Sequence, residues 1–110
     1  MTAGELSRRI GGTLIAANAE NEISCGMVCD MLSHAMAHGK TGCAWVTVQT
    51  HITAVAIAAQ CSMACIIWPD GITADMLSAE RAEQEGIAVI CSPLSAYEIA
   101  GIMHKVGIQA

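Results

Sequence analysis

The sequence carries little charge, and little of that is positive. Charged residues fill 14% of 110 positions, with five Lys and Arg against ten Asp and Glu. Soluble domains typically hold about one quarter, and beyond Arg8-Arg9 no basic residues cluster. Without a basic stripe there is no electrostatic footprint for a phosphate backbone, which excludes nucleic acid as an expected partner. Proline is scarce, with only Pro69 and Pro93, and no linker, low-complexity tract or charge block divides the chain. One domain over residues 1–110 is therefore expected, long enough to bury a core and too short for a catalytic domain plus a regulatory one.

Long apolar runs are also missing. The richest stretches, Ile52 to Ala59 and Met63 to Trp68, fall short of the ~18 residues a spanning helix needs, so no membrane is expected. Glu5 precedes Arg8-Arg9 and no apolar stretch of signal length follows, so a cytoplasmic location is expected. No Gly-x4-Gly-Lys-Ser/Thr or Gly-x-Gly-x-x-Gly loop is present, and Gly11-Gly12 precedes a strand where a phosphate loop would follow one. The chain is expected not to be an enzyme. A Cys-His pair such as Cys91 or Cys43 with His51 is a coincidence that any small α/β domain offers.

What is present is largely apolar, 54% of residues, with a net charge of −5. One small core leaves apolar surface over, so a homodimer or larger assembly is expected. Six cysteines, at 25, 29, 43, 61, 65 and 91, lie inside apolar runs and read as reduced, buried thiols. Cys25 with Cys29 and Cys61 with Cys65 share a Cys-x3-Cys spacing, not the Cys-x2-Cys knuckle of common zinc sites. His34 and His38 stand four apart on one helix face, without the carboxylate of a His-Glu-x-x-His helix, and a cationic His38 is favoured at a helix C-terminus anyway. No metal ligand is assigned, no cofactor is named, and a metal or iron–sulfur carrier through these Cys or His stays an outsider. Six thiols and seven Met suit a reducing or anaerobic setting.

Thr2 reads as the N-cap of a helix through Ile10, with Glu5 completing a capping box. Strands are expected at Thr13 to Ala17, Ile23 to Val28, Cys43 to Val48, Met63 to Trp68 and Ile87 to Cys91. Asp30 is the expected N-cap of a helix Met31 to His38, and Thr50 that of a helix from His51 to Gln60, with Ile52, Val55, Ala56 and Ala59 on one face. Thr73 is expected to cap Ala74 to Glu85, whose Met76 and Leu77 with Glu80, Arg81 and Glu83 give one apolar and one charged side, Gly86 following at C′. Ser92 with Pro93, or Ser95, opens a last helix to about His104 with Ile99, Ile102 and Met103 inward. Short buried strands alternating with helices predict a three-layer α/β/α sandwich on a mainly parallel sheet of about five strands.

In such sheets ligands gather at the carboxyl ends of the strands. Three polar clusters follow strands: Gln49-Thr50-His51, Asp70 in the Pro69-Asp70-Gly71 turn, and Ser92 with Ser95. Gln49 can donate and accept, and His51 begins a helix whose free N–H groups favour an anion. The same residues could instead merely satisfy a strand end and a helix start. Asp30 and Ser33, after the second strand, complete the candidate ligand-binding set, and no catalytic residue is assigned.

The string Met27-Val28-Cys29-Asp30-Met31-Leu32-Ser33-His34-Ala35-Met36-Ala37 followed by Ala44-Trp45-Val46-Thr47-Val48-Gln49-Thr50-His51-Ile52-Thr53-Ala54-Val55-Ala56 resembles the DRTGG-domain proteins. It is closer to the short stand-alone members often encoded beside iron-only hydrogenase genes. Ile66-Ile67, Ala79-Glu80, Ile87-Ala88-Val89-Ile90 and Ser95-Ala96-Tyr97-Glu98 extend the likeness over nearly the whole chain. The resemblance implies a three-layer α/β regulatory domain of undefined ligand, found alone or attached to phosphotransacetylase and related proteins, and more distantly similar to the N-terminal domain of the HPr kinase/phosphorylase, which lacks the kinase active site. No Asp-Arg-Thr-Gly-Gly string is present, and the turn after the fourth strand reads Trp68-Pro69-Asp70-Gly71. The leading expectation is a non-catalytic module sensing a small anionic metabolite or nucleotide and linked to hydrogenase or redox metabolism. The alternative is an accessory protein-protein interaction module for hydrogenase assembly or regulation, with no small-molecule ligand.

Overall fold

The computed structural model describes residues 1–16, 18–73 and 75–110; the last residue of the expected first strand and the first of the expected fourth helix lie outside them. The elements run α1 (Ala3–Arg9), β1 (Thr13–Ala16), β2 (Cys25–Val28), α2 (Leu32–His38), β3 (Cys43–Val46), α3 (Ile52–Gln60), β4 (Cys65–Trp68), α4 (Met76–Gln84), β5 (Ala88–Cys91) and α5 (Ala96–Lys105). Five strands form one sheet in the order β1-β5-β4-β3-β2. β2 to β5 are parallel neighbours, and β1 joins β5 antiparallel at the edge.

Because β2, β3, β4 and β5 step across the sheet in one direction, right-handed crossovers place the three intervening helices on one face. The packing agrees. Ala35 of α2, Val55 and Ala58 of α3, and Ala82 of α4 share a core with Trp45, Ile66, Trp68 and Val89. On the opposite face Leu6 of α1 and Ile99 and Met103 of α5 meet Ala44, Val46, Ile67 and Ile90. Period-two alternation within continuously apolar strands therefore feeds two cores at once, as in a parallel sheet covered on both sides. The result is the expected α/β/α sandwich.

Several local expectations change. Asp30 does not cap α2; the N-cap is Met31, which contributes no side-chain bond, because the Asp30 carboxylate is turned toward β3. His51, not Thr50, caps α3 by accepting from the Thr53 amide, and Asp75, not Thr73, caps α4 by accepting from Leu77. The buried face of α3 is Ala54, Val55, Ile57 and Ala58, leaving Ala56 exposed and Ile52 37% exposed. On α4 the expected apolar side faces outward: Met76 is 72% and Leu77 66% exposed, while Ser78 and Ala82 turn inward. A short inward pair of small side chains lets that helix lie close to the sheet.

The capping box of Thr2 and Glu5 forms as expected, and Ser95, of the two starts considered, opens α5 with a second box to Glu98. Gly86 follows α4 at φ 76°, a left-handed position that favours glycine. Gly39, after α2, has φ −61° and is needed for space instead. A Cβ there would stand 2.9 Å from the Ala35 carbonyl oxygen and 2.5 Å from the Met63 methyl.

Candidate functional site

The carboxyl ends of β2 and β3 are knitted together by side chains. Asp30 Oδ1 accepts from the Thr47 hydroxyl at 3.0 Å and from the Val48 amide at 2.9 Å. Thr47 Oγ1 accepts in turn from the Gln49 amide at 3.1 Å, and Gln49 Nε2 donates to the Asp30 carbonyl at 2.9 Å. Asp30, Gln49, Thr50 and His51 are thus brought to one edge. His51 Nδ1 lies 3.2 Å from Thr53 Oγ1 and accepts from the Thr53 amide at 3.4 Å. Past this point the amides of Thr50, His51 and Ile52 meet no acceptor among the described residues. Asp30 and His51 are exposed, Gln49 and Thr50 half-buried.

The remaining candidates lie elsewhere. Asp70 sits at φ 60°, a conformation Asp tolerates better than most residues. Its amide donates to the Leu94 carbonyl at 2.8 Å, and that of Gly71 donates to Ser92 at 2.9 Å. Ser92 is buried, donating its hydroxyl to the Ile10 carbonyl at 2.6 Å and accepting from the Leu94 amide. Ser95 is spent on the cap of α5. Ser33 is exposed on α2, outside the network around Asp30.

Crevices in open α/β sheets form where adjacent strands send their chains to opposite faces. Here that happens between β4, which leads to α4, and β5, which leads to α5. The two loops close on each other through the Asp70 to Leu94 and Gly71 to Ser92 bonds, so at this switch point those two backbone amides are consumed internally, while the Asp70 side chain stays exposed. The β2/β3 edge keeps open groups.

Sequence reasoning missed four supports of this edge. Trp45 and Trp68, fully buried, donate their indole N–H groups to Cys29 and Gln49 carbonyls at 2.8 and 3.0 Å. Thr47 is 1% exposed, and its signal was a hydroxyl between two valines at a strand end. Ser78 of α4, buried, donates to the Thr50 carbonyl at 2.7 Å; a small polar residue four before Ala82 on the inner helix face was the visible clue.

The cysteines do not assemble into a centre. Among the described residues no group of three or more His, Cys, Asp or Glu is placed to hold a metal. His34 and His38 stack with ring centroids 4.0 Å apart, and His38 Nδ1 lies 3.0 Å from the His34 carbonyl. Burial pushes the Cys43 thiol up to about 12, with its ladder neighbour Cys25 adding to the rise. Burial raises the Cys65 thiol as well.

No family model matches the chain, and no curated protein matches it in sequence. Among solved structures it is similar to the CBS and DRTGG domains of the regulatory region of Clostridium perfringens pyrophosphatase, crystallised with its activator diadenosine tetraphosphate. The TM-score is 0.78 at 14% identity, over 93% of this chain and 45% of that one. The fold is CBS/DRTGG-like. At that identity the likeness carries the architecture alone, and the chain spans less than half the length of the pyrophosphatase region. Among the described residues no helix is long and apolar enough to cross a membrane.

Proposed function

We propose that this chain is a non-catalytic regulatory module, one domain over residues 1–110, that senses a small anionic metabolite or nucleotide at the edge formed by Asp30, Gln49, Thr50 and His51. The observation that carries this reading is the run of three open amides, Thr50 to Ile52, at the start of α3. Successive unclaimed N–H groups at a helix N-terminus attract phosphate or carboxylate through hydrogen bonding and the helix dipole. Asp30, whose Oδ1 is held by Val48 and Thr47, suits a ligand hydroxyl better than a phosphate, so a nucleotide with its sugar toward Asp30 fits both ends. The fold supports a regulatory role, since the similar pyrophosphatase region is regulatory and was crystallised with a nucleotide activator. The link to hydrogenase or redox metabolism rests on the sequence resemblance.

A second reading has its own observation. Val28, Met31, Val48 and Ile52 are 50%, 66%, 45% and 37% exposed and belong to the β2 and β3 ends that carry the polar network. Such a rim suits a protein surface, either a second copy in a homodimer or a partner enzyme. Thermal unfolding with ATP, ADP, diadenosine tetraphosphate and inorganic phosphate separates the two. Ligand at one hundred times its Kd stabilises by about 2.7 kcal/mol, and Gln49→Ala and His51→Ala are expected to remove that gain. If none of the four probes raises the midpoint, the sensing role is rejected.

A further inference from the structure

A second concavity, of about 510 Å³, opens between β1 and α4. Met76, Ala79, Glu80 and Glu83 line it from α4; they stand at i, i+3, i+4 and i+7 and so form one stripe of the helix. Ile15 faces them from β1. The ladder explains how Ile15 comes to be there. Leu14 pairs with Ile90 and Ala16 with Val89, so Ile15 is the extra residue of a β-bulge. A bulge re-aims the side chain it inserts. Ile15 is 37% and Met76 72% exposed, so the chain's own core does not fill the groove.

The stripe is polarised along its length. Its apolar end is Met76 and Ala79 with Ile15, and its other end is Glu80 and Glu83, a span of roughly 10 Å at the helical rise. Among the described residues no cation lines the groove. Arg81, the nearest in sequence, is committed to Glu85 at 2.9 Å. Glu83 also lies in the last turn of α4, where the helix dipole favours positive charge. The volume falls within the range of small-ligand pockets.

We propose that this groove binds a small organic cation with an apolar tail, its ammonium group between Glu80 and Glu83 and its tail against Met76, Ala79 and Ile15. The site is separate from the β2/β3 edge and opposite to it in charge preference. A protein carrying 13C-methyl Met and Ile, titrated with n-hexylammonium chloride, tests this by NMR. Saturable shifts of the Met76 and Ile15 methyls are expected, with n-hexanoate at least about tenfold weaker, and the exposed-site double variant Glu80→Gln/Glu83→Gln is expected to erase that difference. Equal binding of the anion, or methyls unmoved by the cation, overturns the proposal. So do Met76 shifts that change on dilution without additive, which place a second copy of the chain in the groove. The outcome is independent of the nucleotide titration, whose readout is lost in Gln49→Ala and His51→Ala.

Discussion

The indole N–H of Trp68, at the end of β4, donates to the carbonyl oxygen of Gln49, in the loop after β3, at 3.0 Å. Trp45 does the same one strand over, reaching from β3 to Cys29 after β2 at 2.8 Å. Each tryptophan is fully buried, and each sets the height of the loop on the neighbouring strand. Trp68→Phe keeps most of the ring but loses the donor and some volume. It is expected to cost about 2 kcal/mol in urea unfolding, from an orphaned carbonyl worth roughly 1 kcal/mol plus a small cavity. Nucleotide-induced stabilisation should weaken with it, because Gln49 loses one of the bonds that position it. A variant as stable as the parent shows the bond to be without consequence.

Asp30 serves the fold as an acceptor for Val48 and Thr47. Removing that acceptor in Asp30→Ala is expected to destabilise by about 1.5–3 kcal/mol, the scale of a bond to a charged acceptor whose loss also orphans the buried Thr47 hydroxyl. Asn keeps an oxygen at the same place, so Asp30→Asn should retain most of the stability. The pair of variants, compared by urea midpoint, separates geometry from charge. Equal losses in Asn and Ala reject the role of Asp30 as acceptor for Val48 and Thr47.

How much of this was legible depends on the range of each signal. Strand positions and the two-sided sheet follow from continuous apolar runs punctuated by glycine and capping residues, and they came out within two residues at most ends. The site was legible only as a place. Gln49, Thr50 and His51 were visible as polar residues after a strand, but their roles were not, because the Asp30 to Thr47 and Ser78 to Thr50 bonds join residues 17 and 28 apart in sequence. The caps of α1 and α5 were legible because they are local, whereas the one expected at Asp30 failed for the same reason. Asp30 has the right chemistry for an N-cap and is recruited by β3 instead. On α4, Met76 and Leu77 carried a helical apolar pattern whose burial would need a partner that this chain does not supply.

The thiols give a chemical check on the packing. Cys43 is held up to about 12 by burial and the adjacent Cys25, and Cys65 is raised by burial. At pH 8 both are thiols, and the thiolate is the nucleophile. Iodoacetamide is therefore expected to leave Cys43 and Cys65 unmodified in the native protein, while half-buried Cys29 and Cys61 react first. In urea all should be modified. Peptide mass spectrometry after timed quenching reads this directly, and labelling of Cys43 as fast as Cys61 contradicts the burial.

The two capping boxes predict a specific acid sensitivity. Glu5 accepts from the Thr2 amide and hydroxyl, and Glu98 from the Ser95 amide. These backbone bonds, with the side-chain bonds second, hold both carboxyls below their ordinary 4.5. A folded value below the unfolded one means that the native state favours the charged form. The stabilisation is then complete above about pH 4.5 and disappears as pH falls through the lowered folded values. Gln at N3 keeps a capping oxygen without the charge, so Glu5→Gln/Glu98→Gln isolates the charge contribution. The parent should be the more stable at pH 7, and the gap in urea midpoint should close toward pH 2. A gap of the same size at both pH values would show that the charged carboxylates contribute nothing through their proton equilibria.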